Sequence, residues 1–438
     1  MTEQRPDVSE ELPRNKVIDK PTPLSSIRGW LDHSGISDND QSFIPDTLKE
    51  IISILQTNKQ SIANCIRTDT GKSERAALNE ISRSISAIQS AVDSVVHETI
   101  GTGHVGFGKM QFLSGSMRIG TSVIIPDMSV PVLSLIEKLV PSIMTRKQTL
   151  VFLTDTSSIT LNRLFGDFFI NIRGFPAYLV RDPEIRSMRW YISRYHPLNI
   201  LFSGSTDLFQ KIQRLSGTVP FSAESQFGYS VFASQGSDLD RLAESLAVVF
   251  QDRSLAKFLR PADIIVMADN AEYLRNRIIT ELEKTVEPWV VYNQPQAETF
   301  ASFLTKGKMS EIDIHFWKGY ESGVFSPALI SPVSKQSDSL STEIDLPVLS
   351  MHEVKSLEDA LALQAKSQNR MYSSVWTSDA DLIQHEISSV KTSLLTVNGF
   401  PTGTEESITN LAVNSLPVRW VRSLTQFMST NFSGLLYS

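Results

Sequence analysis

The sequence predicts an α/β protein built from two successive domains, each a mostly parallel sheet covered by helices. Three observations predict it. Short apolar runs alternate with helical segments from about residue 120 onward, and such alternation gives parallel strands joined by crossover helices. The alternation starts afresh near Tyr229, which marks a second unit. The chain has 438 residues, 41% hydrophobic and 20% charged, too many for one small core and apolar enough to fill two.

The elements follow in order. Residues 1–24 are rich in Pro, Glu, Asp and Lys and read as a flexible arm. A helix begins near Pro45 and carries Leu48, Ile51, Ile52 and Leu55. A second places Ile81, Ile85, Ile88, Val92 and Val95 on one face through spacings of three and four. The glycine-rich GTGHVGFG ends this helical lead-in. Strands are then predicted at 120–125, 149–153, 177–180 and 199–203, with helices at 131–143 and 183–195. The second block gives strands at 229–233, 263–267, 289–292, 312–316, 347–351 and 373–376, with helices at 239–250, 271–286, 357–365 and 380–390. The polar run 331–341 reads as a loop. Parallel crossovers place a ligand site at the carboxyl ends of the strands.

Composition narrows the function classes. A formal charge of −7 argues against wrapping nucleic acid or an anionic membrane, although a local basic patch can survive it. A single cysteine, Cys65, excludes an internal disulfide and a cysteine metal cage. The opening MTEQRPDVSEELPRNK lacks the basic end and apolar run of a signal peptide. The most apolar stretch, 122–144, is broken by Asp127, Pro131, Glu137 and Lys138, so it predicts no membrane span. A cytoplasmic protein is the expectation.

Generic motifs are weak. Gly101, Gly103 and Gly106 spell a dinucleotide fingerprint but follow a helix instead of a strand, so they predict a loop. Thr70-Gly71-Lys72-Ser73 has Ile66 where a phosphate loop needs its earlier glycine, and reads as a helix end. The histidines show no HExxH pattern, and no metal site is expected. Arg181, Arg186, Arg189 and Arg194 read as a solvated face, with a phosphate contact as the alternative.

Segment order carries more. Asp69-Thr70-Gly71-Lys72 followed by Glu80, the run IGTSVIIPDMSVPVLSLIEKLVPSIMTRKQTLVFL, Phe202-Ser203-Gly204-Ser205-Thr206 and Glu343-Ile344-Asp345-Leu346-Pro347-Val348 succeed one another over residues 45–400, followed by SLEDALAL, SVWTSD and Leu395–Asn398. In that order they resemble the aldehyde dehydrogenase superfamily. The resemblance implies a Rossmann-like cofactor-type domain over 25–222 and a catalytic-type α/β domain over 223–395. It implies a return and oligomerisation segment over 396–438, and a homodimer or pairing with an active relative. Gly204, Ser205, Thr206 and Glu343 fall at positions that bind cofactor in the family, which implies NAD or NADP.

The family's catalytic parts do not carry over. Where its nucleophilic cysteine stands, this sequence reads Gln251-Asp252-Arg253-Ser254-Leu255-Ala256-Lys257. Ser254 lacks an evident base to activate it, and Lys257 reads as a surface lysine before an imine-forming one. The general-base turn becomes Ser222-Ala223-Glu224-Ser225, with Glu224 two residues from the base position. The oxyanion asparagine falls within Asp127-Met128-Ser129, and 150–159 contains no ribose-binding lysine. Phe209 replaces a small residue where the cofactor diphosphate should approach.

Two functions follow. The first is a catalytically degenerate binding or regulatory partner that holds at most a small aldehyde-like ligand. The alternative is an NAD(P)-dependent oxidoreductase that transfers hydride to an aldehyde, imine or acyl substrate without a thiol.

Overall fold

The computed structural model describes residues 21–33, 43–97, 103–107, 110–114, 121–144, 148–155, 158–172, 175–195, 197, 199–217, 219–224, 228–255, 259–284, 289–290, 294–306, 312–321, 323–332, 346–366, 372–379, 382 and 394–400. The lead-in comprises α1 (Leu24–His33), α2 (Phe43–Thr57), α3 (Lys59–Thr70) and α4 (Glu74–His97). Leu48, Ile51, Leu55, Ile81 and Ile88 are fully buried, as their helical spacing predicts. The glycine-rich stretch then forms a hairpin where a loop was expected: β1 (Gly103–Phe107) pairs antiparallel with β2 (Met110–Ser114). Alternation of glycine with larger residues hides a strand from a hydrophobic-pattern reading.

The first sheet contains β3 (Thr121–Ile125), β4 (Gln148–Leu153), β5 (Ala177–Arg181), β6 (Asn199–Ser203) and β7 (Phe221–Glu224). It runs β5-β4-β3-β6-β7, entirely parallel. Its helices are α5 (Pro131–Met144), the short α6 (Ile159–Arg163), α7 (Arg186–Tyr195) and α8 (Thr206–Ser216). The sheet extends two residues past the boundary expected at 222. α5 is apolar nearly all round because it lies between the sheet and the lead-in helices α2 and α4. At its start, Val130 and Leu133 instead join the core of the second domain.

The second sheet is seven-stranded. It uses β8 (Tyr229–Ala233) and β9 (Pro261–Met267), with α9 (Leu239–Gln251) and α10 (Ala268–Lys284) beside them. A short excursion follows through β10 (Trp289–Val290), α11 (Gln294–Lys306), β11 (Ile312–Trp317), β12 (Tyr320–Glu321) and β13 (Val324–Phe325). The sheet is completed by β14 (Ala328–Pro332), β15 (Val348–Val354), α12 (Leu357–Lys366), β16 (Tyr372–Trp376) and β17 (Leu394–Val397). Its order is β11-β14-β15-β9-β8-β16-β17, parallel except for the antiparallel edge strand β11. β10 belongs to a separate small antiparallel sheet with β13 and β12. Ser331, expected in a loop, pairs with Asp313 at the end of β14. β17 adds a seventh strand that runs across the boundary expected at 395 into the stretch read as a return segment. Apart from Leu382, the helix expected at 380–390 lies outside the described residues, as do all residues past 400.

Candidate active site

In the first sheet the strand order reverses beside β3, so the connections leave β3 and β6 toward opposite faces. A parallel sheet opens a crevice at such a switch point, outside the carboxyl ends of the strands. Two segments flank it here: the turn after β6, Gly204-Ser205-Thr206, and the loop between β3 and α5, residues 126–130.

The turn after β6 is built for a helix start. Ser205 Oγ accepts from the Leu208 N–H at 3.3 Å and caps α8. A side chain at 204 would bring its Cβ within 3.0 Å of the Phe202 ring, which explains the glycine. With Leu208 capped, the first-turn amides of Thr206 and Asp207 have no intrahelical acceptor and carry the positive end of the helix dipole. Phe209, expected to stand in the path of a diphosphate, points elsewhere. It shares a stripe with Leu208, Ile212 and Leu215 that packs on the sheet, and its ring lies 5.4 Å from Phe221 and 6.2 Å from Phe202. A residue in the second turn of a helix faces whichever side the apolar stripe dictates, so Phe209 packs half-buried against the core. Phe209→Ala should therefore cost about 2–3 kcal/mol, below the ~3–5 of a fully buried ring, with no gain in dinucleotide affinity. Tighter binding in that variant, read by calorimetry, would place the ring in the crevice instead.

The loop after β3 supplies the other wall. Asp127 is buried, and its Oδ1 accepts from the Ser129 N–H at 2.8 Å, which fixes a tight turn. Among the described residues, Ser129 Oγ has no hydrogen-bond partner although it is shielded from solvent. Val130 next to it packs into the second domain, so this hydroxyl stands where the two domains meet.

The Asp-Thr-Gly-Lys stretch works as a structural junction. Asp69 accepts from Ser158 Oγ at 2.9 Å and from the Ile159 and Thr160 amides at 2.9 and 2.8 Å, capping α6. Gly71 ends α3 with φ 67°, a left-handed cap that favours glycine. Lys72 and Glu80 form a fully buried ion pair at 2.5 Å. The other carboxylate oxygen of Glu80 accepts from the Val132 and Leu133 amides at 2.9 and 3.3 Å, at the N-terminus of α5. Burial lowers the Lys72 pKa and Glu80 opposes that shift.

The loop after α9, where a nucleophile was sought, is held by the same junction. Arg253 donates to the Thr70 and Gly71 carbonyls, both at 2.8 Å. Asp252 pairs with Arg83 at 2.8 Å and accepts from Ser254 Oγ at 2.5 Å and from the Ser254 N–H at 2.9 Å. Ser254 is fully buried, and its hydroxyl hydrogen is held by the Asp252 carboxylate within this clamp. Cys65 is buried in α3, 3.6 Å from an Arg163 nitrogen. Burial pushes its pKa up despite that guanidinium, so it remains a thiol.

The remaining predicted positions scatter. Ser222 and Glu224 lie in β7, in register with Leu201 and Ser203 of β6. Lys257 and Glu343 lie outside the described residues. Arg181 donates to Asn162 at 2.7 Å, and Arg186 pairs with Glu184 on the surface at 2.5 Å. Sequence reasoning quoted Lys72 and Glu80 without seeing that they pair. Two opposite charges flanking a helix start, eight residues apart, were the available signal. Among the described residues no cluster of His, Cys, Asp and Glu could hold a metal, and no helix is long and apolar enough to cross a membrane.

Comparison with known proteins agrees with this architecture. No curated protein sequence matches the chain. Solved structures do, at low identity. The NADP complex of glyceraldehyde-3-phosphate dehydrogenase GapN from Methanocaldococcus jannaschii is 14% identical, with TM-score 0.75, covering 87% of each chain. Succinic semialdehyde dehydrogenase from Streptococcus pyogenes with NADP+ is 12% identical, with TM-score 0.77, covering 87% of this chain and 88% of that one. An NAD-dependent benzaldehyde dehydrogenase from Corynebacterium glutamicum is 13% identical, with TM-score 0.74, covering 89% and 87%. The model of the aldehyde dehydrogenase family matches residues 45–410, and the chain belongs to that family.

Proposed function

We propose that this chain is an NAD(P)-linked oxidoreductase that transfers hydride from the reduced cofactor to an aldehyde, imine or acyl carbonyl without a covalent thiol intermediate. The observation that carries it is the switch point of the first sheet, flanked by the α8 N-terminus and by the loop that carries the unpartnered Ser129 hydroxyl, with Phe209 packed half-buried against the core. That donor set fits a dinucleotide: helix-start amides suit a diphosphate, and Gly204 keeps the turn free of a side chain. When bound, the cofactor supplies the hydride. The residues Gly204, Ser205 and Thr206 orient the phosphates, and Ser129 Oγ–H polarises the substrate oxygen and stabilises the charge that grows on it. The packed domain junction around Val130 keeps water from that oxygen.

No thiol takes part in this scheme, because the single cysteine is buried in the lead-in helices and protonated. Cys65→Ala should leave turnover unchanged, and thiol-blocking reagents should do the same. Loss of turnover in that variant, with its melting temperature intact, would restore a cysteine mechanism. Titration of NAD, NADP and their reduced forms by calorimetry tests the whole reading, with micromolar binding as the expected result. Absence of binding at millimolar cofactor would overturn it. The other reading, a catalytically degenerate partner, is favoured by one observation, the clamped Asp252–Ser254 loop. The dehydrogenase complexes with bound cofactor that share this fold favour the oxidoreductase.

A further inference from the structure

We infer that the outer surface of α7 and α8 is a docking site for single-stranded nucleic acid, separate from the cofactor crevice. The chain is acidic, with a formal charge of −7. Even so, the solvent side of these two helices exposes Arg186, Arg189, Arg194, Lys211 and Arg214 against one acid, Asp207. Arg186 is paired to Glu184 in the preceding turn. Among the described residues Arg189, Arg194, Lys211 and Arg214 have no acidic partner. A solvated helix ordinarily intersperses both signs and gains from pairs three or four residues apart. α7 contains no acidic residue at all.

The placement is ordered. Arg186, Trp190 and Arg194 recur every fourth residue along one stripe of α7, about one turn apart at about 5.4 Å per turn, and Arg189 flanks that stripe. α8 packs beside α7 on the same sheet face, which sets Lys211 and Arg214 in a parallel row roughly 8–10 Å away. Two rows of cations at that separation make a trough that follows a single backbone. Within the α7 stripe stands Trp190, half-exposed, its ring held edge-on by Tyr195 at 5.5 Å. A fixed aromatic face among arginines suits an unpaired base and offers nothing to an acidic peptide. Four of the five cations are arginines, the residue whose planar fork matches phosphate. The cofactor crevice lies at the carboxyl edge of the sheet, beside the first turn of α8, whereas Arg214 stands in the last turn of that helix.

The test is fluorescence anisotropy of a labelled twelve-nucleotide oligouridylate with the full chain. Four unpaired cations predict that affinity falls about 50-fold between 50 and 200 mM salt, from a slope of about −0.7 per neutralised phosphate. The double variant Arg189→Glu/Arg214→Glu should lose at least about tenfold in affinity at low salt, with its melting temperature and cofactor binding unchanged. Trp190→Phe should weaken binding without altering the salt slope. Failure of the wild type to bind, or a double variant that binds equally well, would overturn the inference. So would displacement of the oligonucleotide by polyglutamate at equal charge, which would mark a surface for acidic proteins. Because cofactor binding is measured separately, loss of one leaves the other standing.

Discussion

Lys72→Met is expected to destabilise the protein by about 3–5 kcal/mol, because it leaves the Glu80 carboxylate buried without a cation. Few other single changes should cost as much. Glu80 sits at 0% exposure and cannot recover hydration without opening the packing of α4 on α5. Its residual partners are the Val132 and Leu133 amides, which soften the loss but do not neutralise the charge. The double variant Lys72→Met/Glu80→Leu should recover much of the deficit, since replacing both members of a buried pair with apolar groups is often nearly neutral. Recovery should stay incomplete, because the two α5 amides then lose their acceptor, at about 1–3 kcal/mol. Urea denaturation of the three proteins measures this. A Lys72→Met variant within about 1 kcal/mol of wild type, below the usual cost of breaking a buried pair, would show that the pair does not hold the junction.

The same junction shows what was legible in the sequence and why the rest was not. Parallel strands buried on both faces are continuous apolar runs, so β3, β4, β6 and β8 stand where periodicity put them. Most of the two sheets follows from that signal and from segment order, while β7 and β14 had no counterpart among the expected strands. Two strands stand where a loop was read, β1 and the end of β14, because neither carries the continuous apolar run that marks a strand. The crevice was legible as a turn, Phe202 to Thr206, because capping chemistry is local. Arg253 with the Thr70 and Gly71 carbonyls was not, because its partners are some 180 residues away and no local pattern encodes a long-range hydrogen bond. Phe209 was legible as a position and not as a direction. Its position in the chain was certain, but its direction depended on which face of α8 the stripe of Leu208, Ile212 and Leu215 selects.

Ser129→Ala is expected to lower kcat by about 10²–10³-fold, the usual cost of losing one oxyanion donor, while leaving cofactor affinity unchanged. The argument rests on an imbalance. A buried hydroxyl with no partner costs about 1–3 kcal/mol relative to one that is bonded, and Ser129 Oγ is in that state. For a packing residue the substitution to alanine should then be neutral or stabilising, with nothing lost. For a donor awaiting a substrate oxygen, the same substitution should hold or raise the melting temperature and remove turnover. Only the second outcome separates the two roles, and it requires both measurements on one variant. Ser129→Thr, which keeps the hydroxyl, should retain a large share of the rate. Unchanged kcat in Ser129→Ala, or a rate loss matched by a stability loss, would assign the hydroxyl to the turn begun by Asp127 and leave the substrate oxygen to another group.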